Sequence, residues 1–435
     1  LTAEDVYFSW LQSWGPGSLG VATSASAINM ANNTEKIELV SHNQVSITHK
    51  NADGSFPGFL SDVSGSCQGH VTPGWDFAKI RDAALIQAYD AKPISTGAVK
   101  MVRHVPEELM AFERFDDYYY QPKNGLPEDR RTKFRFMDLR KVPEEATRAA
   151  AVRAGEADIA PISLATRKQV EAGGGRVIFG DEASYIYIKL MGPWLPEFPI
   201  SKKEVRQALS YALDRGVMRD RLFGADVFQP KGWEYVTPSA LGYGPELDPI
   251  YDPNKARQLL AAAGYPGGKG FGKLIHNTWS SRAVPFLPES AELAADMWRK
   301  ELGIAVEVKL GDETALKKVT NSDVDLYGQL LWRDNKAALE GGSSYRSQYA
   351  SPKNLGRAHN DPDLLKQATE VLGVFDPALR PAAFNKIYRR LVDENYQISV
   401  GYINVPWGVA PRVLEWTPRP MAFYPSALHT IVLKP

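Results

Sequence analysis

Val205-Arg206-Gln207-Ala208-Leu209-Ser210-Tyr211-Ala212-Leu213-Asp214-Arg215 is the stretch from which the rest of the chain can be ordered. Val205, Ala208, Leu209 and Ala212 recur at helical spacing and form one apolar stripe. Ser201 precedes them as a candidate cap, so the pattern predicts a helix over 201–214. On the C-terminal side, Asp252-Pro253 predicts a second helix start. Proline is tolerated at the first helical position and aspartate accepts from the free amides. Ala256, Leu259, Leu260 and Ala263 supply its stripe, and Gly264 its left-handed stop. Asp361-Pro362 and Asp376-Pro377 repeat the opening, the latter leading Phe384, Ile387, Tyr388 and Leu391 along one face. Between them a helix through Leu293, Met297 and Trp298 stops at Gly303, and Ile304-Ala305-Val306-Glu307-Val308 alternates as a strand. Helix, glycine, strand is the grammar of a layered α/β domain.

On the N-terminal side the chain reads as β-rich. Ile37-Glu38-Leu39-Val40 and Val45-Ser46-Ile47-Thr48 alternate with a period near two across a polar turn at 41–43. Val99 to Val102 and Leu109 to Arg114 predict a second pair of strands around Val105-Pro106-Glu107-Glu108. At the start, Thr2 followed by Asp5 resembles a capping box opening a helix.

The 435 residues are too many for one ordinary core, so two or three lobes are expected. Lys+Arg and Asp+Glu are equal at 51 each, which gives no electrostatic footprint for nucleic acid. No apolar run reaches the roughly 18 residues a transmembrane helix needs. The single cysteine, Cys67, sits in Ser64-Gly65-Ser66-Cys67-Gln68-Gly69 and reads as a loop or packing residue. Gly15-Pro16-Gly17-Ser18-Leu19-Gly20 follows a predicted helix instead of a strand, so it reads as a plain loop and not a dinucleotide fingerprint. No Walker loop and no Gly-x-Ser-x-Gly elbow is present. The seven histidines are scattered, with His276 the one weak ligand candidate. No cofactor, no metal and no catalytic residue is therefore expected.

Six segments in order resemble the family 5 solute-binding proteins, the oligopeptide, dipeptide and nickel binders of ABC importers. They are Leu1-Thr2-Ala3-Glu4-Asp5-Val6, Ser95-Thr96-Gly97-Ala98-Val99-Lys100, Phe112-Glu113-Arg114-Phe115-Asp116-Asp117-Tyr118-Tyr119, Ala154-Gly155-Glu156-Ala157-Asp158-Ile159, the 205–215 stretch, and Tyr251-Asp252-Pro253-Asn254-Lys255-Ala256 through Ala263-Gly264-Tyr265. The resemblance implies a type II periplasmic-binding-protein-like clamshell of two α/β lobes plus an extra family-specific domain. Residues 1–130 would be the remainder of the extra domain, 131–236 and 411–435 the first lobe, and 237–410 the second. It further implies an N-terminally truncated chain, its signal peptide or lipoprotein anchor lost with the missing part. The protein would be a monomer at the periplasmic or extracellular face of the envelope. It would capture a peptide or similar solute between lobes and pass it to a membrane permease complex. An oligosaccharide, an opine-like compound or a metal chelate remain open as cargo, and an α/β enzyme as the remote alternative.

In peptide-binding relatives an Asp shortly after a Trp pairs with the peptide's α-amino group. Asp325-Leu326-Tyr327-Gly328-Gln329-Leu330-Leu331-Trp332-Arg333-Asp334-Asn335 resembles that stretch, with Trp332 two residues before Asp334 where those relatives have three. By the resemblance Asp334 is the anchor and Trp332 an apolar wall. Arg333 has the fork that pairs a carboxylate. Tyr345, Tyr349 and Trp407 are the other aromatics expected near the cleft.

Overall fold

The computed structural model describes residues 2–15, 30–60, 93–94, 96–281, 284–320, 326–336, 345, 348–349, 358–422 and 424–434. Cys67, residues 16–20 of the glycine motif, Asp325, and residues 343, 344, 346 and 347 lie outside them.

Helix α1 (Ala3–Trp14) opens where expected, with the Thr2 amide donating to Asp5 Oδ2 at 2.7 Å. It packs on the hairpin of β1 (Thr34–Ser41) and β2 (Gln44–His49). Trp14, Met30, Ile37 and Phe59 form the core there. A second antiparallel sheet joins β3 (Val99–Val105), β4 (Leu109–Arg114) and β5 (Phe136–Arg140) in sequence order.

The molecule is organised by a seven-stranded mixed sheet. Its strands are β6 (Ile159–Pro161), β7 (Arg176–Leu190), β8 (Phe228–Gln229), β9 (Lys273–Thr278), β10 (Ala305–Leu310), β11 (Leu330–Lys336) and β12 (Gln397–Val409). The order is β10-β9-β11-β7-β12-β6, with β8 also pairing β12. The middle pair, β7 and β12, is antiparallel from Gln397↔Lys189 to Val409↔Arg176, with register shifts at Ser399/Gly401 and Ile403/Val405. One half of this pair, 184–190 with 397–403, carries β11 and β8 on its flanks. The other half, 176–180 with 405–409, carries β6.

Alternation along β7 sorts the larger half into two cores. Ile186, Ile188 and Leu190 enter a core with Val205, Leu209, Leu274, Trp298, Trp332 and Ile398. Tyr185 and Tyr187 face the other way, into an aromatic core with Trp233, Tyr235, Tyr345, Tyr349, Phe384 and Tyr388. Helices α3 (Lys203–Tyr211), α4 (Pro253–Ala262) and α5 (Leu287–Leu302) cover the first face; α6 (Pro362–Leu372) and α7 (Arg380–Glu394) cover the second. The smaller half has cores of its own. One combines Ala149 and Val152 of α2 (Glu145–Ala154) with Ile162 and Val170. The other holds Trp407, Val409, Val413, Trp416 and Ile431.

The sequence reading expects lobe boundaries at 236/237 and 410/411; the cores group the chain as follows. Residues 186–228 share one core with 256–332, and Trp407 and Val409 pack with 413–431. The change-over falls at Glu182 and Asn404. The Glu182 amide donates to Asn404 Oδ1 at 2.9 Å, and the Ser239 amide and hydroxyl donate to the Glu182 carboxylate.

The 201–214 prediction also needs correction. The helix spans Lys203–Tyr211 with Lys202 at its cap position, and Ser201 ends a preceding 3-10 turn. Asp214 instead caps the next turn, Arg215–Met218, accepting from the Val217 amide at 3.1 Å. Asp252 and Asp361 cap their helices as predicted, accepting from Lys255 and Leu364. Asp376 does not: the helix beyond it starts at Arg380.

Candidate ligand-binding site

Strand β11 carries the expected anchor residues, and its pleat separates them. Trp332 lies opposite Ile188, Arg333 opposite Tyr187 and Asp334 opposite Ile186. Trp332 and Asp334 therefore belong to the face of the first core, and Arg333 to the aromatic face.

Trp332 is fully buried, its indole N–H donating to Ser290 Oγ at 2.9 Å and its ring meeting His276 edge-on. It is a core residue, not an exposed wall. His276 is enclosed between Trp298 and Trp332, and burial pushes its pKa down to about 3. Neither ring nitrogen has a hydrogen-bond partner. Among the described residues no group of three or more His, Cys, Asp or Glu could hold a metal ion. No helix among them is long and apolar enough to cross a membrane.

Asp334 is half-buried. Ser281 donates to its Oδ2 at 3.1 Å, while Oδ1 is buried with no hydrogen-bond partner. A carboxylate oxygen in that state leaves an acceptor for an incoming donor. Arg333 lies over the rings of Tyr187 and Trp279, its guanidinium carbon 5.4 and 5.8 Å from their centroids.

The remaining candidates divide. Tyr349 is buried and donates to Glu234 Oε1 at 2.9 Å. Tyr345 donates to the Ala368 carbonyl and packs on Phe384 and Tyr388, which is a core role. Trp407 stands in the smaller half, edge-on to Trp416 at 5.6 Å. It is not brought together with the β11 residues.

Glu234 escaped sequence reasoning. It is fully buried on a left-handed backbone, φ 49°. Desolvation pushes its pKa up to about 8, against the Tyr349 hydrogen bond and the charges of Lys189 and Arg333. Lys189 is also buried, on the β7 face shared with Tyr185 and Tyr187. A signal existed for both: an acid between two aromatics in Trp233-Glu234-Tyr235, and a lysine inside the otherwise apolar Tyr185-Ile186-Tyr187-Ile188-Lys189-Leu190.

Known proteins share this architecture. The solved structure of the ABC transporter-associated periplasmic binding protein DppA from Helicobacter pylori, in complex with the peptide STSA, superposes with a TM-score of 0.76 at 16% identity, over 99% of this chain and 81% of that one. The fold is thus that of the type II periplasmic binding proteins. The sequence profile of the bacterial extracellular solute-binding proteins, family 5 middle region, matches residues 1–352, and the chain belongs to that family. Among curated relatives, the glutathione-binding protein GsiB of Pectobacterium atrosepticum is 30% identical over 178 residues, 40% of this chain and 32% of that protein. The heme-binding protein A of Haemophilus influenzae is 26% identical over 294 residues, 61% of this chain and 47% of that protein. The chain thus spans less than half the length of these relatives.

Proposed function

We propose that this chain captures a peptide or a related small solute for an ABC importer, outside the cytoplasm, and carries out no catalytic step. Family membership over residues 1–352 is the observation that carries the proposal. The two lobes would hinge where β7 and β12 change cores, at Glu182 and Asn404. A ligand that touches both lobes only when they are closed stabilises the closed state, and a permease complex can then tell loaded from empty protein.

Asp334 is proposed to receive the solute's protonated amine at its unpartnered Oδ1. A charge-assisted bond there offsets the desolvation of both groups. Tyr349 and Arg333 lie on the opposite, aromatic face of the sheet and are proposed as ligand contacts apart from the Asp334 anchor.

Native mass spectrometry of the purified protein, with calorimetric titration of a defined peptide mixture, is the test. Co-purifying peptides, or micromolar binding, is the expected result. Asp334→Asn is expected to weaken binding by at least about tenfold, the loss of one charge-assisted bond, without lowering the melting temperature. Recovery of a single sugar or metal complex, with no peptide bound, would sink the peptide assignment.

A further inference from the structure

Strands β3, β4 and β5 stand outside the cores. Among the described residues, none of their members enters any of the five hydrophobic clusters. One face of their sheet instead collects soft donor atoms. His104 lies opposite Met110, and Met110 opposite Leu139; Met101 lies opposite Phe112, and Phe112 opposite Met137. Opposed residues share a face, and so do residues two apart on a strand. These six residues therefore form one array across the three strands. Met101 and His104 are three apart and would leave a regular strand on opposite sides. The register shift between Met101 and Arg103 makes Val102 an extra residue and turns both the same way.

Three of the chain's eight methionines stand in this array. The others are packing residues: Met30, Met191, Met218 and Met421 are buried, and Met297 packs against the first core. Met110 by contrast is 38% exposed, and Met101, His104 and Met137 are half-buried, so an ion in solution can reach this face. No position of the array is a carboxylate, lysine or arginine; Arg103, Asp138 and Arg140 alternate to the other side. Met110 is the centre. His104 is its direct cross-strand neighbour, and in such pairs the Cβ atoms are about 4.5–5.5 Å apart. Met101 and Met137 are its diagonal neighbours, at about 7–8 Å. The long, unbranched methionine side chain, with three rotatable bonds, closes gaps of that size. Phe112, between Met101 and Met137, adds a ring face for a cation.

We propose that Met101, His104, Met110 and Met137 form a binding site for a soft monovalent cation of the Cu(I) class. Thioether sulfurs select such an ion, and imidazole suits it as a further ligand. Calcium and magnesium need oxygen ligands, which these side chains do not offer. His, Cys, Asp and Glu alone form no metal cluster among the described residues; here the thioethers supply the further donors. The ion binds and leaves as Cu(I), so no electron is transferred. The site stands on the three-stranded sheet, while Asp334 belongs to β11 of the seven-stranded one, so the two sites can be tested separately.

The experiment is titration of the whole protein with silver nitrate, Ag(I) being a redox-inert ion of the same class, in chloride-free buffer. Cys67, the single thiol, is capped beforehand because it would compete for the ion. The methionine methyl groups carry a carbon-13 label and are followed by NMR. One Ag(I) per chain is expected, shifting the methyl signals of Met101, Met110 and Met137 and leaving those of Met30, Met191, Met218 and Met421 in place. Met110→Leu and His104→Phe are each expected to weaken binding by at least about tenfold, the lower end for disturbing a metal's surroundings. Neither is expected to lower the melting temperature. Absence of shifts at equimolar Ag(I), or shifts spread evenly over all the methionines, would overturn the site. Equal affinity in both variants would overturn it too, and zinc bound as tightly as Ag(I) would refute the soft-ion assignment. The methyl signals are read on the protein without substitutions, so the test stands even where a variant does not fold. Failure of the site leaves solute capture untouched.

Discussion

Glu234 carries its carboxyl into a face of Tyr, Trp and Lys, and burial keeps it neutral far beyond the pH at which a solvated glutamate ionises. Its folded pKa of about 8 lies above the ordinary 4.5, so its contribution to stability is complete below about pH 4.5 and is lost as pH rises through about 8. Melting temperature measured without ligand should fall over that window, and the Glu234→Gln protein should show a shallower fall. His276 acts with the opposite sense. Its folded pKa is pushed below the ordinary 6.5 to about 3, so the stability it contributes is present above 6.5 and lost on acidification toward 3. His276→Phe should remove that part of the acid sensitivity, because an aromatic ring between Trp298 and Trp332 then has nothing to protonate. Residue roles were the least legible part of the sequence. The alternation that makes Leu330 to Lys336 a strand also fixes which neighbours share a face, and it sends Arg333 away from Trp332 and Asp334. Spacing alone brings them together; the pleat separates them. Glu234 had a local hint in its two aromatic neighbours, but the tyrosines and lysine it is buried against come from β7 and from residue 349, far away in sequence.

Caps and stripes were legible because they are local. Asp252-Pro253 and Asp361-Pro362 start helices through the same aspartate-to-amide bond that the dipeptide suggests. Asp252→Ala should cost about 1 kcal/mol of stability, read as a shift in denaturant midpoint. The helix over 203–211 was legible in its stripe but not in its ends, because Asp214 serves the following turn. Gly401 shows the limit from the other side. A Cβ there would meet the Gln229 carbonyl oxygen at 2.5 Å and the Phe228 ring at 2.7 Å. That approach depends on β8 crossing from more than a hundred residues away, which no local pattern encodes. Gly401→Ala is expected to lever β8 off β12, lowering the melting temperature and speeding amide exchange at Phe228 and Ile403.

At the scale of the molecule, the ordered segments made the class legible, and the type II fold agrees with it. The change of cores along β7 and β12 was less legible, because each of these long strands is continuous in sequence across it. The 205–215 stretch is fastened across a great sequence distance. Arg206 donates to the Glu394 carbonyl at 2.8 Å and lies over Tyr396, and Arg215 donates to the Ser399 carbonyl from Nε at 2.9 Å. Strand β12, the partner of β7 over most of its length, begins only at Gln397. A chain still emerging from the ribosome therefore holds these arginines without their distant acceptors, and β7 with one edge bare, until residues 394–409 have been made. Such late, non-local closure makes for slow folding. A chain ended after Asn395 should accordingly show no cooperative melting transition for the larger half, and it should be cut by protease within 184–228 at rates typical of an unfolded polypeptide.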